Sequence, residues 1–583
     1  MRKKRVTERI NPHREENEMY QLKKNLAIGA GWDAVNETHI ERVSVKPTLT
    51  VMKNLPEGGN GLHPFCFFAD GMVLQRNACT RIFGTADYEG GAAAEIDGKR
   101  YYGKAADGRF EIWLPPMQAG TGKTLVIYGE TNRVTVRDVC VGEVILFSGQ
   151  SNMEYPTLAT AISWWPSNLC KQFLPYYKVT ETPYIPDEEH DPETYPQYVP
   201  NEELSEQYKA EANAELSYDP MIRLMLVRDQ YPDPKDIAKN DEAMTYYEKP
   251  MEWKKGDDKD AVMHASMVGY LFSQYLRRVV DVPVGAVMVA VGATETGTWV
   301  SRETYFKDRS IYSVQTESHE AANSISSCYN TLVAPLIPYT FGSFLWYQGE
   351  GECASPNYVK AFRSMVDSYR HDMDNPDMKA LVISLPRFCM NAKYPEGYDQ
   401  SNYGTADPYL AMTCSCSDFG RANQRKIPEA VGNCAVSVSV NAGDFDDIHP
   451  AIKQPIAMQA LCTYLTAFYG FTDPSLFFPE VTGVKKENGD LVIMLKNVGD
   501  GITVENRGVG FEVSEDGEHY RQYFGEAEGK DAVRVRGVGS GAKYLRYGWL
   551  EFPRVTRVDM TKYVSVFNSF GLPLDQFERT LED

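Results

Sequence analysis

The chain has 583 residues, which is too long for one hydrophobic core, so two to four domains are expected. Its net charge is −20, with 60 basic and 80 acidic residues, and this balance disfavours the basic faces that bind nucleic acids and anionic membranes. No apolar run approaches the ~20 residues of a membrane span. We therefore expect neither a nucleic-acid nor a membrane partner, and nothing in the sequence indicates an oligomeric state.

The cysteines and the first residues bear on the compartment. There are 11 cysteines, an odd number without a C-x-x-C pair, which favours reduced thiols over a disulfide framework. The sequence begins with basic residues, but no apolar segment of the kind found in a signal peptide follows them. A cytoplasmic protein is expected, although a secreted protein without its signal peptide would look the same.

The first part of the chain divides into two regions. Residues 1–62 are polar and weakly periodic, and we interpret them as an N-terminal extension. Residues 63–140 contain short β-like runs between turn signals such as Asp97-Gly98 and Asp107-Gly108. Short strands at a regular spacing of about ten residues predict a β-sandwich domain.

Residues 141–475 alternate buried strands with helical stretches. This alternation predicts an α/β domain with a mainly parallel sheet and helices on both faces. Within it, residues 156–260 are rich in Tyr, Pro and acidic residues and are predicted to form an insertion or lid outside the sheet. From 476 to 583 the β pattern returns and predicts a second β-sandwich domain.

The most informative motif is V-G-E-V-I-L-F-S-G-Q-S-N-M, residues 141–153. Its apolar run predicts a buried strand that ends at Ser148-Gly149 and presents Ser151 at a turn. Several hydrolase folds expose a serine nucleophile in this way. The motif alone is a weak signal, because G-Q-S-N is not the G-x-S-x-G elbow and a serine here more often caps a turn or a helix.

Three further polar segments follow predicted strands of the same domain. Gly292 comes after V-M-V-A-V, Gln348 and Glu350 come after F-L-W-Y, and D-D-I-H-P at 446–450 comes after A-V-S-V-S-V. Ligands of open α/β sheets bind outside the carboxyl ends of the strands, so these segments are expected to converge on one site. Serine, histidine and aspartate together indicate nucleophilic catalysis by serine.

These motifs resemble those of the sialate O-acetylesterase family of SGNH/GDSL-type serine hydrolases. Further matching segments extend the resemblance over residues of about 64–579. The resemblance implies a flavodoxin-like SGNH hydrolase core flanked by N- and C-terminal β-sandwich domains. The matching segments are A-D-G-M-V-L-Q-R, D-G-R-F-E-I-W-L-P-P-M, L-F-S-G-Q-S-N-M, P-V-G-A-V with G-A-T-E-T-G-T-W, L-W-Y-Q-G-E, D-I-H-P with Lys453, L-R-Y-G-W and N-S-F-G-L-P-L-D-Q-F.

The resemblance also implies an activity. It is the removal of O-acetyl groups from a small-molecule or oligosaccharide substrate through an acyl-serine intermediate, without a metal ion or an organic cofactor. Sialic acid O-acetyl groups are the expected target. An acetylxylan or hemicellulose acetylesterase, and a catalytically weak carbohydrate-binding protein with the same fold, are the alternatives.

Residue roles follow from the matching positions. Ser151 is the expected nucleophile and His449 the general base. The backbone N–H groups of Ser151 and Gly292 and the side chain of Gln348 are expected to form the oxyanion hole.

Two aspartates compete for the role of the acid that orients the histidine. Asp447, two residues before His449, fits D-I-H-P and is favoured, whereas Asp446 fits the D-x-x-H spacing of the wider SGNH group. Either carboxylate would raise the pKa of His449 above its ordinary ~6.5.

Five other polar residues are candidates for substrate binding, and a structural salt bridge or cap is the alternative for the last two. They are Gln150, Asn152, Glu350, Arg421 and Gln424.

The chain departs from the family pattern at three places. Gly292-Ala293-Thr294 stands in place of G-G-T, Gly349-Glu350-Gly351-Glu352 in place of G-E-S-N, and Asn441 where members often carry Asp.

Overall fold

The structure is a computed structural model that describes residues 55–157, 177–179, 198–200, 216–388, 418–443, 448–450, 452–505, 508–549 and 564–582. Most of the expected N-terminal extension, 1–62, lies outside these residues. No helix among them is long and apolar enough to cross a membrane.

Short strands open the described chain. Two-residue turns at Asp97-Gly98 and Asp107-Gly108 join three of them, and all four turn residues have positive φ, as type I′ hairpin turns require. The predicted turn signals are confirmed at both positions. The strands are β1 (Leu62–Pro64), β2 (Val73–Gln75), β3 (Thr80–Ala86), β4 (Gly90–Ile96), β5 (Lys99–Ala106), β6 (Arg109–Leu114) and β7 (Gly120–Tyr128).

The middle of the chain alternates strands and helices. Its elements are β8 (Arg133–Gly149), α1 (Ser151–Glu154), β9 (Tyr177–Val179), β10 (Tyr198–Pro200), β11 (Asp219–Leu226), α2 (Pro234–Ala238), β12 (Lys254–Gly256), α3 (Lys259–His264), α4 (Met267–Val280), β13 (Val284–Ala290), α5 (Arg302–Lys307), β14 (Ser343–Tyr347), α6 (Tyr358–Asp372), β15 (Lys379–Ile383), α7 (Asp418–Gln424), α8 (Ile427–Ala430), β16 (Cys434–Ser437) and α9 (Gln454–Phe468). Short 3-10 turns lie at Arg228–Gln230, Thr296–Thr298, Arg309–Ile311 and Ala334–Leu336, and a π turn at Tyr329–Val333.

Six strands pair in parallel in the order β11–β13–β8–β14–β15–β16, and β12 adds to β11 in the antiparallel direction. If β11 is left out, the sheet order from β13 to β16 contains the second, first, third, fourth and fifth of these strands along the chain, which is the flavodoxin-like order 2-1-3-4-5. β13 and β14 are buried along their whole length, as parallel strands covered on both faces are. The predicted α/β class with a mainly parallel sheet is confirmed.

Two strands of this sheet come from the range 156–260, which the sequence predicts to lie outside it. β11 pairs with β13, and its Arg223 is 1% exposed and contacts Asp138 of β8 at 2.9 Å. The prediction that residues 156–260 lie outside the sheet is wrong for β11 and β12. β11 enters the sheet despite its charged residue because Arg223 is paired with Asp138 inside the fold.

β8 joins the first strands and the parallel sheet into one 14-stranded sheet. The predicted domain boundary between residues 140 and 141 therefore falls inside a strand. Glu143 of β8 is fully buried and accepts hydrogen bonds from Arg76 at 2.6 Å and from Gln75 of β2 at 3.2 Å. These contacts fix the first strands to the amino end of the parallel sheet.

The last part of the chain follows a 3-10 turn at Pro474–Leu476 and is antiparallel β structure. Two four-stranded sheets, β17–β18–β23–β22 and β21–β20–β24–β26, share one apolar core, and β19 pairs with β25. The strands are β17 (Glu480–Glu487), β18 (Asp490–Lys496), β19 (Ile502–Val504), β20 (Phe511–Ser514), β21 (Arg521–Tyr523), β22 (Gly525–Glu528), β23 (Ala532–Val535), β24 (Tyr544–Tyr547), β25 (Val566–Asn568) and β26 (Phe577–Thr580).

The close packing of β8 against β14 can be tested at Gly149, the last residue of β8. Gly149 has a φ of +143°, and a Cβ there would lie 2.1 Å from the carbonyl oxygen of Tyr347 on β14. We expect Gly149→Ala to lower the free energy of unfolding in urea by more than about 1 kcal/mol, because one strand has to shift. Gly432→Ala is the matched control, since no atom lies within 4 Å of its added Cβ. Equal effects of the two substitutions would contradict the close approach of β8 and β14.

Candidate active site

The turn after β8 carries Ser151 at the first position of α1. The N–H of Gln150 donates to Tyr347 O at 3.1 Å, which ties the turn to the end of β14. The first N–H groups of a helix have no partner within the helix, and the Ser151 N–H has no acceptor among the described residues. It is therefore available to an acyl oxygen.

Ser151 and His449 line one cavity of about 340 Å³. Its apolar wall comes mainly from strand ends and α1, and its polar lining comes from α1, the turn after β11 and the end of α3. No hydrogen bond joins the Ser151 hydroxyl to His449 among the described residues, and such bonds often tighten only when substrate binds. The apolar wall includes Phe147, Met153, Leu226, Met288 and Ala290, and the polar lining includes Glu154, Arg228, Asp229 and His264.

His449 stacks on Tyr155, with ring centroids 6.2 Å apart and an interplanar angle of 24°. Burial, and second the Lys453 ammonium, lower the pKa of His449 to about 4. This direction is opposite to the one expected from the sequence, because burial and a neighbouring cation both oppose the imidazolium. At neutral pH the ring is uncharged and can accept a proton. Asp446 and Asp447 lie outside the described residues, so the orienting acid stays a prediction.

Gly292 lies beside Ser151. A Cβ added to Gly292 would lie 3.3 Å from Ser151 Cβ. The Gly292 N–H donates to Glu154 Oε2 at 2.6 Å, and the other carboxylate oxygen of Glu154 pairs with Arg228 at 2.9 Å. A carboxylate therefore holds one of the expected oxyanion donors. Sequence reasoning missed Glu154, although a residue three positions after Ser151 on a helix lies on the same face.

Gln348 is fully buried, and its amide donates to Thr294 O at 3.2 Å and to Glu352 Oε1 at 2.7 Å. Glu352 also accepts from the Thr296 N–H at 2.5 Å, and burial raises the pKa of Glu352 to about 7. In this structure the side chain of Gln348 thus holds the loop after β13 instead of supplying a free oxyanion donor. Glu352, which accepts from Gln348, stands where the family pattern has Asn.

Three of the expected substrate-binding residues form an internal network. Asn152 donates to Glu350 Oε1 at 2.6 Å and to Ile448 O at 2.8 Å, and Lys453 donates to Asn152 Oδ1 at 2.5 Å. Gln150 donates to the other oxygen of Glu350. Asn152 is 1% exposed and Lys453 is fully buried. The network joins the ends of β8 and β14 to the segment that carries His449.

Arg421 and Gln424 are also fully buried. Arg421 donates to Gln576 Oε1 at 3.0 Å, which fixes α7 to the last part of the chain. Gln424 accepts from the Leu385 N–H at 3.0 Å and donates to Gln348 O at 3.1 Å. The geometry supports the structural alternative for both residues and gives neither of them a place on the cavity wall.

Two departures from the family pattern have local consequences. Ala293 has a φ of +57°, in the left-handed region that glycine adopts most easily. Asn441 accepts a hydrogen bond at 2.7 Å from Gln459 of α9. Among the described residues no group of three or more His, Cys, Asp and Glu side chains could hold a metal ion.

Comparison with known proteins supports the resemblance. Residues 225–416 match the family model described as carbohydrate esterase, sialic acid-specific acetylesterase. The sialate O-acetylesterase of Mus musculus is 22% identical over 224 residues, which cover 33% of this chain and 41% of that protein. That of Pongo abelii is 22% identical over 216 residues, covering 36% and 40%. The chain thus matches less than half of the length of these relatives. The resemblance to the sialate O-acetylesterase family is confirmed.

A solved structure shares the fold. The crystal structure of a carbohydrate acetylesterase from Xanthomonas citri matches this chain with a TM-score of 0.63 and 23% identity. The match covers 89% of this chain and 100% of that one. At this identity the likeness concerns the fold.

Ala293 offers a test of the loop after β13. Ala293→Gly should raise the free energy of unfolding by up to about 1 kcal/mol. It relieves a backbone strain of ~1–2 kcal/mol in the left-handed conformation, but part of this gain is lost because glycine increases the conformational entropy of the unfolded chain. Ala293 is exposed, so the change removes little packing. Urea denaturation measures the difference, and a clear loss of stability would contradict the left-handed conformation.

Proposed function

We propose that this protein is a carbohydrate O-acetylesterase that removes acetyl esters from sugars, above all from sialic acid, with Ser151 as its nucleophile. The observation that carries the proposal is the position of Ser151, which follows the central strand of the sheet and lines one cavity with His449. The family model and both mammalian relatives are named for sialic acid acetyl esters, which favours that sugar over xylan.

The proposed reaction has two steps. Ser151 Oγ attacks the acetyl carbonyl carbon while His449 accepts the hydroxyl proton. The tetrahedral intermediate then expels the sugar oxygen, to which His449 returns the proton. Water, whose proton His449 accepts, then attacks the acyl-serine, and the second intermediate expels Ser151 Oγ, which regains the proton from His449 as acetate is released.

Charge on the intermediate needs hydrogen-bond donors. The N–H groups of Ser151 and Gly292 are the proposed pair, and one such donor contributes about 3 kcal/mol to lowering the barrier. Because Glu154 Oε2 accepts from the Gly292 N–H, the acyl oxygen has to replace that carboxylate oxygen. Arg228 contacts the other oxygen of Glu154 and keeps a counter-charge beside it.

The cavity suits such a substrate. Its volume of about 340 Å³ lies within the usual range for small-molecule pockets. The apolar wall can contact the acetyl methyl group and the C–H face of a sugar ring. Arg228, Asp229 and His264 of the polar lining can bind hydroxyl groups, and Arg228 and His264 can also bind a carboxylate.

The nucleophile is tested by substitution and labelling. Ser151→Ala should abolish both p-nitrophenyl acetate hydrolysis and fluorophosphonate labelling with little change in Tm, because the lost hydroxyl contributes little packing. Mass spectrometry of the labelled protein identifies the modified residue. Ser148→Ala is the matched control, at a buried serine whose hydroxyl has no hydrogen-bond partner in the described part of the chain, and it should keep both hydrolysis and labelling. Labelling at another residue would contradict the assignment.

The substrate is tested by acetate release from O-acetylated sialosides and from acetylated xylo-oligosaccharides, each compared with Ser151→Ala. Faster release from the sialosides supports the proposal. Faster release from the xylo-oligosaccharides would make the protein an acetylxylan esterase, and binding without release would make it a carbohydrate-binding protein.

The pH dependence follows from His449. A general base acts in its neutral form, and a lowered pKa keeps His449 neutral at lower pH. Since its pKa is about 4, kcat/KM should stay level from about pH 8 to 5 and fall only near pH 4. Steady-state kinetics across this range measure the profile. A fall between about pH 7 and 6 would show that a carboxylate outweighs burial and Lys453 at this histidine.

A further inference from the structure

We infer that Lys453 is a positioning residue: its ammonium fixes the Asn152 amide, and that amide holds the His449 segment against the turn that carries Ser151. The inference rests on the proposed function and assigns a role to a residue that the reaction itself does not use. It is carried by hydrogen-bond geometry, burial and ring contacts.

The first step concerns the Asn152 amide. An asparagine side chain offers two N–H donors and one carbonyl oxygen. The donors go to Glu350 and Ile448 O, and the oxygen accepts from Lys453. Because an ammonium can only donate, Lys453 requires the oxygen on its side and therefore turns the NH₂ group towards Ile448. The Glu350 carboxylate and Ile448 O require the NH₂ group on their side, so all three partners favour the same orientation, and Lys453 is the one that holds the amide oxygen.

The second step concerns what the amide connects. Asn152 follows Ser151 directly, and Ile448 precedes His449 directly. One hydrogen bond of 2.8 Å therefore links the residues adjacent to the nucleophile and to the base. A displacement of about 1 Å between reacting groups can cost 100-fold in rate, so the link bears directly on catalysis.

The third step concerns charge. Lys453 is fully buried, and the carboxylate of Glu350 lies on the other side of the same amide. Burying an ion costs several kcal/mol, and apolar residues often fill such a place at lower cost. A buried pair bridged by one amide is therefore better explained by the geometry it imposes than by the stability it adds.

The fourth step concerns the ring of His449. Lys453 Nζ lies 5.0 Å from the centroid of the Tyr155 ring, on which His449 stacks. Burial is the main cause of the lowered pKa of His449, and the Lys453 ammonium is the second cause. Among the described residues, the other charged or titratable groups that line the cavity with His449 are Glu154, Tyr155, Arg228, Asp229 and His264, and Glu350 lies behind Asn152.

The test compares Lys453→Met with the unmodified enzyme. We expect kcat to fall on the order of 10–100-fold with KM nearly unchanged, because the reacting groups lose their alignment while the cavity remains. The rate of fluorophosphonate labelling at Ser151 should fall in parallel. The acid limb of kcat/KM should move to higher pH, because the imidazolium loses a neighbouring cation.

Lys379→Met is the matched control. Lys379 lies at the amino end of β15, away from the cavity, and burial lowers its pKa despite the nearby Glu143. The control should leave kcat and the acid limb unchanged. If Lys453→Met behaves like this control in both measurements, the inference is overturned.

Asn152→Asp covers the case in which Lys453→Met does not fold. It keeps an oxygen for Lys453 but removes the N–H groups that reach Ile448 and Glu350, and we expect the same loss of kcat. Unchanged kcat would overturn the inference. If the unmodified protein neither hydrolyses acetyl esters nor labels at Ser151, the proposed function fails instead, whereas a normal unmodified enzyme with an unaffected Asn152→Asp variant refutes the positioning role alone.

Discussion

The pairing of β8 with β13 on one side and β14 on the other determines where the residues of the candidate site lie relative to one another. Gly149, the last residue of β8, lies opposite Ala290 of β13 and Tyr347 of β14. Ser151 comes two residues after Gly149, and Gly292 comes two residues after Ala290, so both lie just beyond the paired ends of the strands. A slip of one residue in either pairing would turn every side chain of the strand to the other face and would move Ser151 away from the groups around it. The close contact of Gly149 with Tyr347 O adds a steric limit to the same register.

Much of this arrangement is visible in the sequence, because buried strands leave continuous apolar runs and their ends carry turn residues. The runs before Gly149 and Gly292 predict both the sheet and the edge where the polar groups meet. β11 is not predicted, since Arg223 interrupts its apolar pattern and the residue that pairs with it, Asp138, lies 85 positions away. The partners of Gln348 and Arg421 are hidden for the same reason, because side-chain hydrogen bonds across loops leave no periodic signal. The pKa of His449 depends on burial and on Lys453, which a local motif does not reveal.

Two glutamates after β14 connect the three strand ends. Glu350 accepts from Gln150 and Asn152 in the turn after β8, whereas Glu352 accepts from Thr296 after β13 and from Gln348. A carboxylate accepts several hydrogen bonds at once, so each glutamate can hold a neighbouring loop through more than one contact. Burial raises the pKa of both glutamates, which shows that these hydrogen bonds do not fully replace the lost solvation. The segment Gly349-Glu350-Gly351-Glu352 thus departs from the family pattern and still performs a defined structural task.

The contact between Glu154 and the Gly292 N–H bears on how the proposed reaction would discriminate between substrate and transition state. A carboxylate oxygen accepts a stronger hydrogen bond than the neutral carbonyl oxygen of an ester. The ester therefore gains little by displacing Glu154 in the ground state. In the proposed reaction the tetrahedral intermediate would carry a negative charge on that oxygen and would compete with the carboxylate for the Gly292 N–H, while Arg228 contacts Glu154 as its counter-charge. Binding energy that is gained only when charge develops lowers the barrier without tightening the complex with substrate, which is the condition for raising kcat.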